Sequence, residues 1–362
     1  MSKIVVGFMG AGGIARSHAF ALDSLKFYYD EVPEIDFYAV TSKRKESRES
    51  FVKKYNFKKA LEISEFTSDE NINTVFILGP NKVHYEHLIL ATQMPNVKRI
   101  YLEKPVCSTL EEEEGMNKLL ETKNPDLRIQ VGFQFVQNAA VRECLSFYKT
   151  GILGRPIHFD LKYYHGDYLQ SEYRRKRITR LTPAPDGGAM ADLGSHGISM
   201  LMAFFSDKLL IVNSMQSGQF EDVPVDSDLF SAISLFDPES KAVGNMSASR
   251  VSSGTGDWVN LEIFSEKGAI KYSSYNPDYF EYFLESDNKW VRQMVGSHYK
   301  PHTSFPSGHV SPGWLRAMIH AHYIFLTGIS DTSFNTDLAH GLAVQRIVRE
   351  NADYLSKFRE NI

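Results

Sequence analysis

Ile4-Val5-Val6-Gly7-Phe8-Met9-Gly10-Ala11-Gly12-Gly13-Ile14-Ala15 opens the chain and decides its fold. An apolar run of strand character passes into a glycine turn and then into a helical pattern over 14–28. In the spacing Gly10-x-Gly12-x-x-Ala15, Gly10 permits the tight turn, Gly12 lets the backbone approach a phosphate, and Ala15 is small enough for close helix–strand packing. A helix starting near Gly13 and Ile14 directs its free N–H groups and positive dipole end at that phosphate. The segment therefore predicts a dinucleotide site built on Gly10, Gly12, Gly13, Ile14 and Ala15. The glycine spacing alone also fits an ordinary strand–turn–helix.

Moving outward, strand-like runs at Ile35 to Thr41, Thr74 to Leu78, Arg99 to Leu102 and Ile129 to Phe133 each follow a helical pattern, the alternation of a doubly wound parallel sheet. Beyond about residue 150 the texture changes. Strand-like segments near 156–164, 210–217, 228–236, 242–250, 258–264 and 268–273 follow one another with little helix between them, which predicts a large antiparallel sheet in an α+β domain. Helical patterns return at 189–205, 312–327 and 337–357. With 362 residues the chain exceeds what one core usually serves. We expect a dinucleotide-binding domain over 1–135 and a substrate-binding and oligomerisation domain over 136–362, with the last helices packing back on one of them.

A net charge of −4 offers no basic field for nucleic acid. The longest apolar stretch, residues 198–205, falls far short of a membrane span. Lys3 leads directly into the first strand, with no signal peptide, so a cytoplasmic protein is expected. Two cysteines, Cys107 and Cys144, exclude a disulfide framework and read as small buried apolar residues. No metal site is expected: His84 and His87 share a helix face without a third ligand, and the rings of His320 and His322 diverge. The acidic run Glu111 to Glu114 reads as the solvated first turn of a helix opened by Ser108 or Thr109.

Three places can carry chemistry. The second strand ends in Thr41-Ser42-Lys43-Arg44, without the carboxylate that accepts an adenosine ribose. Hydroxyls and cations suit a 2′-phosphate, so Ser42 and Arg44 favour NADP, with NAD as the alternative. Pro80, Asn81 and His84 follow one core strand, and Glu103-Lys104-Pro105 ends another, both at carboxyl ends where open α/β sheets bind ligands. Partial burial can tune such a lysine for proton transfer. Third, Asp192 and His196 lie four apart on an apolar helix, so a carboxylate can orient or charge-tune an imidazole.

Together Gly10-Ala-Gly-Gly-Ile-Ala, Pro80-Asn81-x-x-His84, Glu103-Lys104-Pro105, Gly132-Phe133, Gly154-Arg155-Pro156-Ile157 and Gly187-Gly-Ala-Met-Ala-Asp-Leu-Gly-Ser-His196 resemble the glucose–fructose oxidoreductase/inositol dehydrogenase/MocA-like family, in order over nearly the whole chain. The resemblance implies a Rossmann domain followed by an α/β domain whose open sheet forms a homodimer or homotetramer interface. It implies hydride transfer between a nicotinamide and a hydroxyl-bearing carbon of a sugar, polyol or sugar derivative. His196 would exchange the hydroxyl proton, Lys104 would polarise the same oxygen, and Asp192 would orient the site. Asn81 and His84 would line the nicotinamide side, and a cis peptide would precede Pro105. The stretches His165 to Gln170 and Phe305 to Trp314 are similar to those of sugar dehydrogenases within the family, which makes Tyr168 and His309 substrate-pocket candidates. The loop between is unusually basic, Tyr173-Arg-Arg-Lys-Arg177 with Arg180. Arg177 could recognise a phosphate or carboxylate, or the loop is simply solvated. Two other functions are the alternatives: a redox-neutral enzyme that recycles a tightly held nicotinamide, which would use the same residues, and a non-catalytic cofactor sensor, of which loss of Lys104 or His196 would be the mark.

Overall fold

The computed structural model describes residues 3–295 except 30, 108, 179–180, 182–187 and 226. Arg180, His309, the stretch Phe305 to Trp314 and the helical patterns at 312–327 and 337–357 lie outside the described residues.

The first sheet contains β1 (Ile4–Met9), β2 (Ile35–Thr41), β3 (Lys59–Leu61), β4 (Thr74–Ile77), β5 (Arg99–Leu102) and β6 (Arg128–Val131). Every pairing is parallel and the order is β3-β2-β1-β4-β5-β6. Helices α1 (Gly13–Tyr28), α2 (Lys45–Tyr55), α3 (Ile63–Ser68), α4 (His84–Thr92) and α5 (Leu110–Thr122) lie in the connections. The alternation of β1 feeds two cores. Val6 and Phe8 pack with Ala15, Ala19 and Phe51, while Met9 joins Ile72, Ile77 and Leu88. A strand buried on both faces must be apolar throughout, which is why the opening run is continuous. The order reverses between β1 and β4, and a ligand crevice forms at such a reversal. As predicted, Thr109 opens α5, its hydroxyl accepting from the Glu112 N–H at 3.2 Å.

The second sheet has eight strands: β7 (Pro156–Tyr164), β8 (Leu210–Ser217), β9 (Phe230–Phe236), β10 (Val243–Ser249), β11 (Trp258–Ser265), β12 (Gly268–Ser273), β13 (Tyr279–Leu284) and β14 (Lys289–Met294). Its order is β14-β13-β12-β11-β7-β10-β9-β8. One face is sealed by α6 (Ala139–Lys149) and α8 (Ser195–Phe204): Phe159, Leu161, Val259 and Ile263 pack against Val141, Cys144, Met200 and Leu201. A short α7 (Ser171–Lys176) lies between β7 and α8. The outer face alternates to half-exposed residues along β7, β9 and β11. Cys144 is fully buried, and burial pushes its thiol up, whereas Cys107 is only half-buried.

The sheet departs from the antiparallel expectation at its centre, where β7 and β10 run parallel, from Val243 opposite His158 to Ser249 opposite Tyr164. The carboxyl ends of both strands therefore emerge side by side. Three strands, β3, β13 and β14, are not legible in the sequence; β3 is a three-residue edge, β13 carries Tyr and Glu at half-exposed positions, and β14 is exposed along nearly its whole length, so neither shows an apolar alternation. The helical pattern at 189–205 is also interrupted: Met190–Gly194 forms a π-turn before α8, a local widening often found at functional sites.

Candidate active site

The glycine turn has the conformation its sequence demands. Gly10 has φ +138°, and a Cβ there would lie 2.6 Å from the Leu78 backbone. Gly12 is the opposite case: nothing lies within 4 Å of a Cβ at that position, and as N-cap of α1 it provides no side chain to satisfy the free N–H groups. A cleft of about 340 Å³ opens there, lined by Gly12, Gly13, Arg16, Ser47 and Lys54 among others. Open space over unpaired backbone donors, rimmed by two cations, fits the pyrophosphate of a dinucleotide. Arg16 and Lys54 were not picked out from the sequence. Ile14 is exposed and Ala15 fully buried beneath the helix.

At the exit of β2, Ser42 and Arg44 sit on a short loop, the Ser42 hydroxyl donating to the Arg44 carbonyl at 3.2 Å, with the Arg44 side chain exposed. Arg48, almost fully buried on α2, donates to the Ser42 carbonyl at 3.0 Å and pairs with Glu62, so it fixes the loop from below.

Pro80 and Asn81 start the short turn into α4, with Asn81 partly exposed. His84 is 1% exposed, and its two ring nitrogens face the carbonyls of Pro105 (2.7 Å) and Gly79 (3.0 Å). It thus ties the exit of β4 to the loop carrying Lys104 and contributes no open surface. Glu103 is similarly enclosed. Its carboxylate lies 2.8 Å from His18 Nε2 of α1 and fills a notch that any Cβ on Gly132 would invade. The Lys104–Pro105 bond is cis.

From that loop Lys104 crosses to the second sheet's helical layer. Its Nζ donates to the Asp192 main-chain oxygen at 2.6 Å and to Asp192 Oδ1 at 2.9 Å. The other carboxylate oxygen, Oδ2, accepts from Arg250 at 2.9 Å. Asp192 thus binds both Lys104 and Arg250 through its carboxylate, and the same charge opposes the fall in the pKa of the imidazole four residues on. His196 is 4% exposed, enclosed by Phe133 and Phe135 (ring centroids 5.9 and 5.0 Å), and its Nδ1 has no hydrogen-bond partner. Burial, with the nearby Lys104 cation adding to it, pulls its pKa down to about 4. It is thus a neutral imidazole at ordinary pH, able to accept a proton.

Arg250 follows β10 directly. The parallel β7–β10 pair brings it to the turn after β7, where the His165 and Tyr168 N–H groups donate to the Ser249 and Arg250 carbonyls. Tyr168 is 2% exposed and lies under the Arg250 guanidinium at 4.9 Å, so it supports that arginine instead of offering a free surface. Of the basic loop, Arg174 is engaged by Asp222 and by the Tyr168 and Leu169 carbonyls. Arg177 is exposed and stacked over Tyr173 at 4.5 Å. Among the described residues no cluster of His, Cys, Asp or Glu could hold a metal, and no helix is long and apolar enough to cross a membrane.

Residues 4–133 match the family model of the Gfo/Idh/MocA oxidoreductases with an NAD-binding Rossmann fold, and 141–271 match the model of the same family's C-terminal domain. The chain belongs to the Gfo/Idh/MocA oxidoreductase family. Among relatives, levoglucosan dehydrogenase of Pseudarthrobacter phenanthrenivorans is 24% identical over 315 residues, covering 79% of this chain and 78% of its own. Glucose-6-phosphate 3-dehydrogenase of Bacillus subtilis is 25% identical over 284 residues, 76% of each chain. Among solved structures, levoglucosan dehydrogenase in complex with NADH superposes with a TM-score of 0.75 at 21% identity, covering 89% of this chain and 88% of that one. This member of the Gfo/Idh/MocA family thus shares its two-sheet architecture with that structure.

Proposed function

We propose that the protein interconverts an alcohol and a carbonyl on a sugar, polyol or sugar derivative, with NADP preferred over NAD. When bound, the nicotinamide supplies or accepts the hydride. The chain's own residues do the rest. Lys104 hydrogen-bonds the reacting oxygen and polarises it, His196 takes or returns the hydroxyl proton, and Asp192 holds the lysine in place. The observation that carries this reading is a buried imidazole, His196, whose Nδ1 is unpartnered and which lies near enough to Lys104, from the carboxyl end of β5, to feel its charge. The relatives' names support a sugar as the substrate class. Ser42 and Arg44, with no carboxylate at the β2 exit, support NADP; the levoglucosan dehydrogenase structure holds NADH, so this is where the chain is expected to depart from it. The outer face of the eight-stranded sheet supports a homodimer or homotetramer, and the two free thiols accord with the cytoplasm.

The test is a panel of levoglucosan, glucose 6-phosphate, inositols and free hexoses, incubated with NADP or NAD while the absorbance of reduced cofactor is followed. Accumulation on a sugar or polyol, faster with NADP, is the expected result. Product without net reduced cofactor would overturn it in favour of a recycled nicotinamide, and binding of cofactor with no product from any member would favour a sensor.

A further inference from the structure

We propose that Arg48 is a positioning residue for cofactor choice, a buried cation that locks the Ser42-Lys43-Arg44 loop in the shape that presents Arg44 to a 2′-phosphate. The inference rests on the reading of that loop as the 2′-phosphate reader and adds to it the residue that holds the reader in place.

Three observations carry it. First, Arg48 joins two strand exits. β2 and β3 pair in parallel with Thr41 opposite Leu61, so the next residue of each, Ser42 and Glu62, leaves the sheet beside the other. From α2 the guanidinium donates through Nη1 to the Ser42 carbonyl at 3.0 Å and through Nη2 to the Glu62 carboxylate. Second, both ends of that bridge are themselves fixed. Glu62 is the N-cap of α3, in a reciprocal capping box with Glu65. On the loop side, the Arg44 carbonyl accepts from the Ser42 hydroxyl at 3.2 Å and from the Arg48 main-chain N–H at 3.3 Å. Third, Arg48 is 4% exposed, whereas Lys43 and Arg44 are exposed. A guanidinium is costly to bury unless it is paired and hydrogen-bonded, and an apolar side chain would fill the same place without that cost. What the arginine adds is a directed hold on one carbonyl of the loop.

The consequence is preorganisation. With the loop already shaped, a 2′-phosphate meets Arg44 without first having to order three residues. Once the Ser42 carbonyl is released, that ordering opposes binding of the phosphate. NADH carries a hydroxyl at the same place and no phosphate for Arg44 to grip, so it loses little.

Fluorescence titration of the full chain with NADPH and with NADH gives two affinities and their ratio, with no substrate or turnover. In the parent NADPH should bind more tightly. In Arg48→Met its affinity is expected to fall about tenfold while that for NADH stays within about twofold. Should the methionine variant not fold, Glu62→Ala, at a side chain 62% exposed, frees the same guanidinium from its second anchor and should lower the ratio by about threefold or more. Arg44→Ala in the same titration separates the two claims. A preference for NADPH that disappears in Arg44→Ala but survives in Arg48→Met or Glu62→Ala would overturn the lock and leave the reader standing. Equal losses for both cofactors in Arg48→Met would reduce Arg48 to a structural part and overturn the proposal, and a parent that binds the two cofactors equally would remove reader and lock together.

Discussion

Lys104 and Asp192, 88 residues apart in the chain, meet through two hydrogen bonds of 2.6 and 2.9 Å. One runs to the main chain and one to the carboxylate, so the lysine is fixed by backbone as well as by charge. These bonds use two of its three N–H donors, and the third is the one that the proposed function offers to a substrate oxygen.

That division of labour separates chemistry from binding. Lys104→Ala and His196→Ala should each lower turnover by about 10²- to 10⁴-fold, the usual worth of a positioned acid–base group. Cofactor affinity, read by quenching of protein fluorescence on titration with NADPH, should stay within about twofold. Near-normal rates in either variant would remove that residue from the mechanism.

Gly12 separates folding from cofactor binding. Because nothing lies within 4 Å of its would-be Cβ, Gly12→Val should fold with stability within about 0.5 kcal/mol of the parent. The added side chain would occupy the approach of the pyrophosphate, and NADPH binding should be lost. Retained affinity would place the dinucleotide elsewhere.

Cofactor choice turns on Arg44. A charge-assisted hydrogen bond to a phosphate is worth about 1.5–3 kcal/mol, so Arg44→Ala should weaken NADPH by about 10- to 100-fold while leaving NADH nearly unchanged. Equal losses would show that the arginine does not read the 2′-phosphate.

His196 links the site to acid stability. Its pKa in the folded protein is pulled down to about 4, below the ordinary value near 6.5, so the unfolded chain binds the extra proton first. The cost is absent above about pH 6.5 and grows as pH falls toward 4, reaching about 3 kcal/mol. His196→Gln should therefore lose less stability than the parent between pH 7 and pH 4.5 in denaturant melts, and an identical loss in both would contradict the burial argument.

Much of this site could be read from the sequence because its parts are local. The glycine turn, the strand exit before Lys104 and the Asp192–His196 spacing each lie within a few residues of one another. What escaped was non-local. Arg250 is one arginine after a Ser-Ala-Ser run, and it reaches Asp192 because β10 packs on the Met190–Gly194 turn. His18 lies mid-helix, and nothing near it in sequence points to Glu103. Arg48 reads as one more charge on a polar helix until its contact with Ser42 is seen. Conversely, Tyr168 and His84 carry functional-looking motifs, yet both are buried against protein partners, Arg250 in one case and two carbonyls in the other. The Asp192–His196 spacing has an electrostatic counterpart in the structure: the carboxylate opposes the fall in the imidazole's pKa while it also binds Lys104 and Arg250.

The most direct test of the whole account is a crystal structure of the protein with NADP and the sugar or polyol that it turns over fastest. The account predicts one substrate hydroxyl within hydrogen-bonding distance of both Lys104 Nζ and the His196 ring, with its carbon facing the nicotinamide. A nicotinamide bound away from those two side chains, or a substrate touching neither, would contradict it.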